Sequence, residues 1–300
     1  MKKSIKHILV LAACIASLAM TGCGERVESK PGDEDDPWSW KKEEEHNDPQ
    51  PFVAKNYYPK ASGSFRLMTY NVGAFAKYMA DSTPIVADMI KEVEANLVGL
   101  NEVDSCNTRH NVNQVAVLAA KVGDWQWGYG RAMAYRNGAY GNAVIVPASC
   151  KILSRYTVTL EKGVGSEQRS IAVIETDKFV YGSCHLDHTS DAAQLAQVQI
   201  VNAWAQSRYL NSDKPVFFGG DMNATPDSQT ISALKNSWDL MSDTSLTYPS
   251  TGPTKCIDYI FHYKKSAPVK VVGSKVMTQF YNGNPSQTSD HLPVYVDVQF

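Results

Sequence analysis

Apolar positions recur along most of the chain in two rhythms, one of period two and one of helical spacing. Residues 65–72 (FRLMTYNV) have the aromatic and β-prone content of a strand, and 84–96 (PIVADMIKEVEAN) repeat apolar residues at helical intervals. Residues 97–102 (LVGLNE) form a nearly continuous apolar run ending on a carboxylate, which predicts a buried strand delivering Glu102 at its C-terminal edge. A helix follows over 114–122. Strand-like segments at 125–135, 142–147, 152–160, 170–176 and 179–185, parted by Gly-, Asn- and charge-containing turns, predict an antiparallel stretch. Then come a helix over 191–209, a strand over 216–219 and the turn GGDMNATPDS, whose Pro226 suits the first turn of another helix. Strands near 257–261, 269–272 and 293–298 close the chain. No internal repeat is present, and the mixture predicts one α/β domain over 65–300, with stacked sheets and outer helices.

The first residues break this pattern. MKKSIKHILVLAACIASLAMTGC has a positive start, an apolar run too short to span a bilayer, and small residues at its end, the form of an export signal over 1–22. Its ending, Met20-Thr21-Gly22-Cys23, resembles the lipobox of bacterial lipoproteins, in which the cysteine becomes the lipidated first residue. The expected location is therefore a membrane-anchored exported one, on the outer membrane, periplasmic or surface face, with anchoring through acyl chains at Cys23. The plainer alternative is a structural cysteine after an ordinary signal peptide. Residues 23–64 carry charge runs and prolines without apolar periodicity and predict a flexible acidic tether, with an acidic sorting signal as the alternative.

Composition adds limits. The 300 residues, 43% hydrophobic and 10% aromatic, suffice for one substantial core without disulfide staples. With 29 Lys+Arg against 31 Asp+Glu, the formal charge of -2 lacks the basic footprint of a tight nucleic-acid binder. Of six cysteines, Cys106, Cys150, Cys184 and Cys256 remain beyond Cys14 and Cys23. They permit several pairings, with burial as small hydrophobes an equal reading, and no spacing among them suggests zinc.

Candidate chemistry lies where the apolar runs end: Asn71, Glu102, His185, Asp221 with Asn223, Asp258, and Asp290 with His291. Singly, each has an ordinary reading as a turn former, a solvated carboxylate, a core histidine or a cap. In order, the pieces TYNVG, GLNEVD, YGNAVIV, SCHLDH, GGDMNATPDS, CIDYIF and TSDHLPV resemble the endonuclease/exonuclease/phosphatase superfamily over about residues 65–300. The continuation EVDSCNTRHN is most similar to uncharacterised secreted bacterial metal-dependent hydrolases of that superfamily. One departure is Asn101, where many relatives carry Gln.

The resemblance implies a four-layer sandwich, two packed mixed β-sheets flanked by α-helices. It also implies a phosphoester hydrolase using metal-activated water. Asn71, Glu102 and Asp290 would hold Mg²⁺, with Mn²⁺ as an alternative, since hard oxygen donors suit both. Asp221 and Asn223 would orient the water from one face of a strand end, and His291, fixed by Asp258, would contact the phosphate. His185 would assist the phosphate or leaving group, Arg169 would approach the phosphate, Asn142 would line the site, and Asp104 and Arg109 would stand at its mouth. His188 could orient the loop, and Tyr135, Tyr140 and Trp127 could form a wall. The partners implied are a phosphoester, diester or monoester, nucleic acid or not, and the membrane through the anchor; no protein partner is implied. A different class, a non-catalytic lipoprotein binding a phosphorylated or carbohydrate ligand on the same fold, is the competing expectation.

Overall fold

Alternation within the apolar runs decides which layer each side chain enters. In strand β1 (Phe65–Asn71), Leu67 points between two sheets, while Met68 and Tyr70 point outward beneath helices. Because both faces of such strands are covered, the runs read as continuously apolar.

The computed structural model describes residues 51–300. After β1 come α1 (Thr83–Glu92), β2 (Leu97–Ser105), α2 (Gln114–Gly123), β3 (Gln126–Tyr135) and β4 (Gly138–Val146). They are followed by β5 (Ile152–Leu160), β6 (Arg169–Thr176), β7 (Val180–His185) and α3 (Asp191–Tyr209). The chain ends through β8 (Val216–Asp221), α4 (Gln229–Ser237), β9 (Trp238–Leu240), β10 (Asp258–Tyr263), β11 (Lys270–Val276), α5 (Pro285–Thr288) and β12 (Val294–Gln299). Two six-stranded sheets result, one in the order β11-β12-β1-β2-β4-β3 and the other β5-β6-β7-β8-β10-β9. Each is antiparallel except for one central parallel pair, β1 with β2 and β7 with β8. Helices α1 and α2 cover the first sheet and α3 and α4 the second, giving the expected four layers.

The interface between the sheets is apolar at its middle, with Leu67, Val144, Ile174, Phe217 and Val296 among its residues. Toward one end it turns polar. There Asn101 Nδ2 donates to the Cys184 carbonyl at 2.7 Å, Ser183 Oγ to the Leu100 carbonyl at 3.0 Å, and Asn142 Nδ2 to the Ser170 carbonyl at 2.8 Å. These bonds stitch β2 and β4 to β6 and β7, and fully satisfied buried networks of this kind fix one packing geometry. The stitched end is where β1, β7 and β8 terminate.

Several elements differ from expectation. Strand β4 starts at Gly138, four residues before the expected start at 142, because Arg136 and Asn137 both adopt positive φ (46° and 64°) and make a tight hairpin turn. Pro226 precedes α4, which is capped by Ser228 Oγ accepting from Ile231 N at 3.2 Å. The short β9 and α5 have no counterpart in the periodicity. The tether expected up to residue 64 also ends sooner. Tyr58 is buried and its hydroxyl accepts from the backbone N–H of Thr278 and Gln279 at 2.7 and 3.1 Å. Its carbonyl accepts from Arg66, a buried guanidinium held by both carboxylate oxygens of Asp297 at 2.7 and 2.6 Å. The signal segment, Cys23 and most of the tether lie outside the described residues. Cys150, Cys184 and Cys256 are free, so no disulfide joins any two of the four candidate cysteines. Among the described residues no helix is long and apolar enough to cross a membrane.

Candidate active site

At the stitched end a cleft of about 500 Å³ opens, lined by Glu102, His185, Asp221, Asn223, Asp290 and His291 among others. Glu102 reaches it through a defect. The β2–β4 register shifts between Leu100 and Val103, and Glu102 takes φ 57°. Such a bulge re-aims a side chain that regular pleating would have buried. The strand does not end at Glu102 as expected but runs on to Ser105.

Asp221 is the hub. Its Oδ2 accepts from Asn71 Nδ2 at 3.1 Å and lies 3.3 Å from His185 Nε2 and 3.5 Å from His291 Nε2. Its Oδ1 accepts from Asn223 N at 2.8 Å, and its own N–H donates to Asn101 Oδ1 at 3.0 Å. Burial raises the Asp221 carboxyl and Asp258 adds to the rise, against the lowering effect of His291, leaving it at about 7. Burial opposes the charge on His291, but Asp258, Asp221 and Asp290 outweigh it and push the imidazole up to about 10. His291 Nδ1 faces both oxygens of Asp258 at 3.2 and 3.0 Å, which fixes the ring.

Arg169 sets the state of two histidines. A guanidinium can only donate, so the Nδ1 atoms of His185 (3.3 Å) and His188 (2.9 Å) both accept from it. Burial, then Arg169, His291 and His188, holds the His185 imidazole well below its ordinary range. The ring is therefore neutral, with its proton on Nε2 facing Asp221, and in that tautomer the Asn223 amide nitrogen beside Nε2 donates to the Leu186 carbonyl and not to the imidazole. Arg169 lines the cleft, but its terminal nitrogens are turned to these imidazoles and to Glu167 at 3.3 Å. The His188 loop is held by Asp187, whose carboxylate accepts from Thr189, Ser190 and Ser166. Burial of Asp187 is outweighed by those bonds and by Arg169, and its carboxyl falls to about 2.

Some sequence-derived assignments need correction. Asn71 turns its oxygen to Gly73 N (3.1 Å) and its amide nitrogen to Glu102 (3.0 Å) and Asp221, so it bridges the two carboxylates and its oxygen is not turned to the cleft as a ligand for an ion. Asn223 does not share a strand face with Asp221: β8 ends at Asp221, and Asn223, at φ 49°, reaches the Leu186 carbonyl and lies 2.9 Å from His185 Nε2. Asn142 is buried behind the cleft, accepting from Asn101 at 2.9 Å. Arg109 does not line the cleft either; it forks onto Asp104 at 2.8 and 3.0 Å and lies over the Tyr135 ring. Of the expected aromatic wall, only Tyr140 faces the cleft; Tyr135 packs behind it and Trp127 joins the outer core.

Asn101, noted in the sequence only as a departure from Gln, touches Asp221, Asn142 and Cys184 through its amide, and Lys77, Tyr248, Glu167 and Lys255 join the lining without having been expected there. Only Asn101 carried a signal, as the amide before Glu102. Lys77 Nζ stands 2.7 Å from Asp290.

The donors suit a divalent cation. Side-chain atoms of Asp221, Asp258 and His291 lie within 4.8 Å of one another, but the charged His291 ring has no lone pair to offer a metal; Glu102 and Asp290 bring hard anionic oxygens to the same cleft. Asp258, facing His291 with both oxygens, serves the imidazole first.

Many solved structures share this architecture, among them these three. A mannosyl-6-phosphatase from Bacteroides thetaiotaomicron is 18% identical with TM-score 0.66, covering 79% of this chain and 100% of its own. An endonuclease/exonuclease/phosphatase from Bacteroides vulgatus is 19% identical with TM-score 0.63, covering 79% and 99%. TDP2 from C. elegans is 16% identical with TM-score 0.60, covering 79% and 75%. No curated protein matches the sequence. At these identities the structures establish the fold, whose members named here include phosphoester hydrolases. The profile of the Endonuclease/Exonuclease/phosphatase family matches residues 68–291, most of the described chain and every member of the cleft cluster, and the chain belongs to that family.

Proposed function

We propose that this protein is an exported, lipid-anchored phosphoester hydrolase that depends on Mg²⁺ or Mn²⁺. The observation that carries the reading is Asp221, a buried carboxylate raised to about 7 and surrounded by Asn71, His185 and His291 at the floor of an open cleft. A carboxylate of that basicity can take a proton from water near neutral pH. Asn71 and the neutral His185 orient it by donation. His291, charged under the influence of Asp258, donates its Nε2–H to a phosphoryl oxygen and offsets the charge that accumulates there. Glu102 and Asp290 are the residues that would hold the cation, which supplies charge neutralisation to the phosphoryl group when bound. Water attacks phosphorus, its proton passes to Asp221, and the ester oxygen leaves and is protonated by solvent.

Turnover of p-nitrophenyl phosphate or its bis-ester by the full chain in detergent is expected to stop in EDTA and return with Mg²⁺ or Mn²⁺. Inactivity on every phosphoester with either ion, alongside unaltered folding, would favour a binding protein instead. The anchor is tested separately: Cys23→Ala is expected to move the protein from the membrane fraction to the soluble one, and retention in membranes would remove the lipidation reading.

A further inference from the structure

Residues 247–256 form a short arm at the cleft, between β9 and β10. Tyr248 N donates to the Lys255 carbonyl at 2.9 Å and Lys255 N to the Tyr248 carbonyl at 2.8 Å. Residues that exchange both bonds are direct cross-strand partners, and their side chains leave from one face. Here that face is the cleft, which both side chains line. The arm is fixed to the catalytic segment: Leu292 N donates to the Thr247 carbonyl at 2.8 Å, Ser250 N to the Asp290 carbonyl at 2.7 Å, and Ser250 Oγ to the Ser289 carbonyl at 2.7 Å. The Tyr248 ring lies 4.9 Å from the His291 ring, tilted by 48°. Any group bonded to a phosphate at His291 therefore has Tyr248 and the exposed Lys255 beside it.

The rest of the lining states the chemistry of that group. The five carboxylates of the lining (Glu102, Glu167, Asp191, Asp221, Asp290) meet four cationic side chains (Lys77, Arg169, Lys255 and the charged His291), and Lys77 and Arg169 are already paired with Asp290 and Glu167, so the cleft presents no basic stripe along which a polyanion could run on past the reacting phosphate. Glu167 and Asp191 accept hydrogen bonds, Thr225 and Ser228 both donate and accept, and Lys255 donates. Tyr140 and Tyr248 supply the aromatic faces. A saturated ring bearing many hydroxyls meets all of these demands, laying C–H faces on the aromatics and its hydroxyls against the carboxylates and the ammonium.

We propose that the Tyr248–Lys255 arm selects the substrate, and that the substrate is a phosphomonoester of a cyclic polyol, a sugar or a cyclitol. This rests on the phosphoester hydrolase reading above. The ring of Tyr248 grips the leaving group, and Lys255 donates to one of its hydroxyls.

The test compares the full chain with Mg²⁺ on a hexose 6-phosphate, an inositol monophosphate, p-nitrophenyl phosphate, its bis-ester and duplex DNA. One or both ring-polyol esters are expected to exceed p-nitrophenyl phosphate in kcat/KM by about tenfold or more, and which of them does so separates sugar from cyclitol. Tyr248→Leu and Lys255→Ala are each expected to lower that ratio about tenfold, mainly through KM, whereas Tyr248→Phe keeps it. Thermal midpoints close to that of the parent verify that the variants fold. Preference for DNA or the bis-ester, or a ratio unmoved in both Tyr248→Leu and Lys255→Ala, overturns the proposal while leaving the hydrolase reading intact. Absence of turnover on every ester overturns both.

Discussion

Asp221→Asn is expected to lower kcat/KM by about 10³-fold, in the range of losses that follow removal of a positioned proton acceptor. The substitution keeps the shape of the side chain, and its one amide oxygen can still accept either from Asn223 N or from Asn71, while its basicity is lost. Asp258→Asn is expected to cost a similar factor by a different route, since an amide oxygen can still accept from His291 Nδ1 but the negative charge that keeps the imidazole protonated is gone. Because both changes disable one assembly, the double variant is expected to fall little below either single variant; losses that multiply would show that the two residues act independently.

The same Asp221→Asn change is expected to raise thermal stability in EDTA at pH 8. The carboxyl is buried and raised to about 7, so ionising it opposes folding. For an acid whose folded value lies above its unfolded one, that cost is absent below the unfolded value, near 4, and complete above the folded one. The stabilisation should thus be full above about pH 7 and vanish in acid, as melting curves across pH would record. A protein that gains stability when its proton acceptor is neutralised holds that group for chemistry, at a cost to the fold. A midpoint unchanged or lowered at pH 8 would mean that Asp221 is held by its donors as a structural anchor.

The layers and most of the strands were legible in the sequence because their signal is local. The runs 65–72, 97–102 and 179–185 are apolar on both faces, and burial of both faces is what the structure gives β1, β2 and β7. The cleft cluster was legible through motif order, which marks strand ends without stating what side chains touch there. Contacts were not legible. Nothing in LVGLNEVDS announces the bulge that swings Glu102 outward, since a bulge is defined by the partner strand β4. Arg169 and Asn71 carry the right chemistry for phosphate and metal, yet their nitrogens meet histidines and carboxylates brought from residues far along the chain. Tyr248 and Lys255 lie in a segment without periodicity, and only the exchange of backbone bonds between them puts both at the cleft. Tyr58 was hidden by its charged and proline-rich surroundings, which averaged out one well-packed ring.

Gly220→Ala is expected to cost more than about 4 kcal/mol, enough to unfold a marginal domain or to leave it insoluble. Gly220 sits in β8 directly before Asp221 with φ 141°, and it pairs with Cys184 of the parallel neighbour β7. A Cβ there would lie 1.8 Å from the Cys184 carbonyl oxygen and 2.9 Å from Asn101 Oδ1. Neither neighbour can yield cheaply: the first is backbone in a central strand, and the second is the amide that accepts from Asp221 N and binds the Cys184 carbonyl. Parting β7 from β8 would therefore also loosen the joint between the sheets and shift the hub of the cleft. Gly252→Ala is the control, because it too has positive φ, 62°, but meets nothing within 4 Å. Its expected cost is the conformational one alone, about 1 kcal/mol. Chemical denaturation of both variants separates the two causes: equal losses would mean that backbone conformation governs both sites, whereas a large excess at Gly220 assigns that glycine to the close approach that seats Asp221.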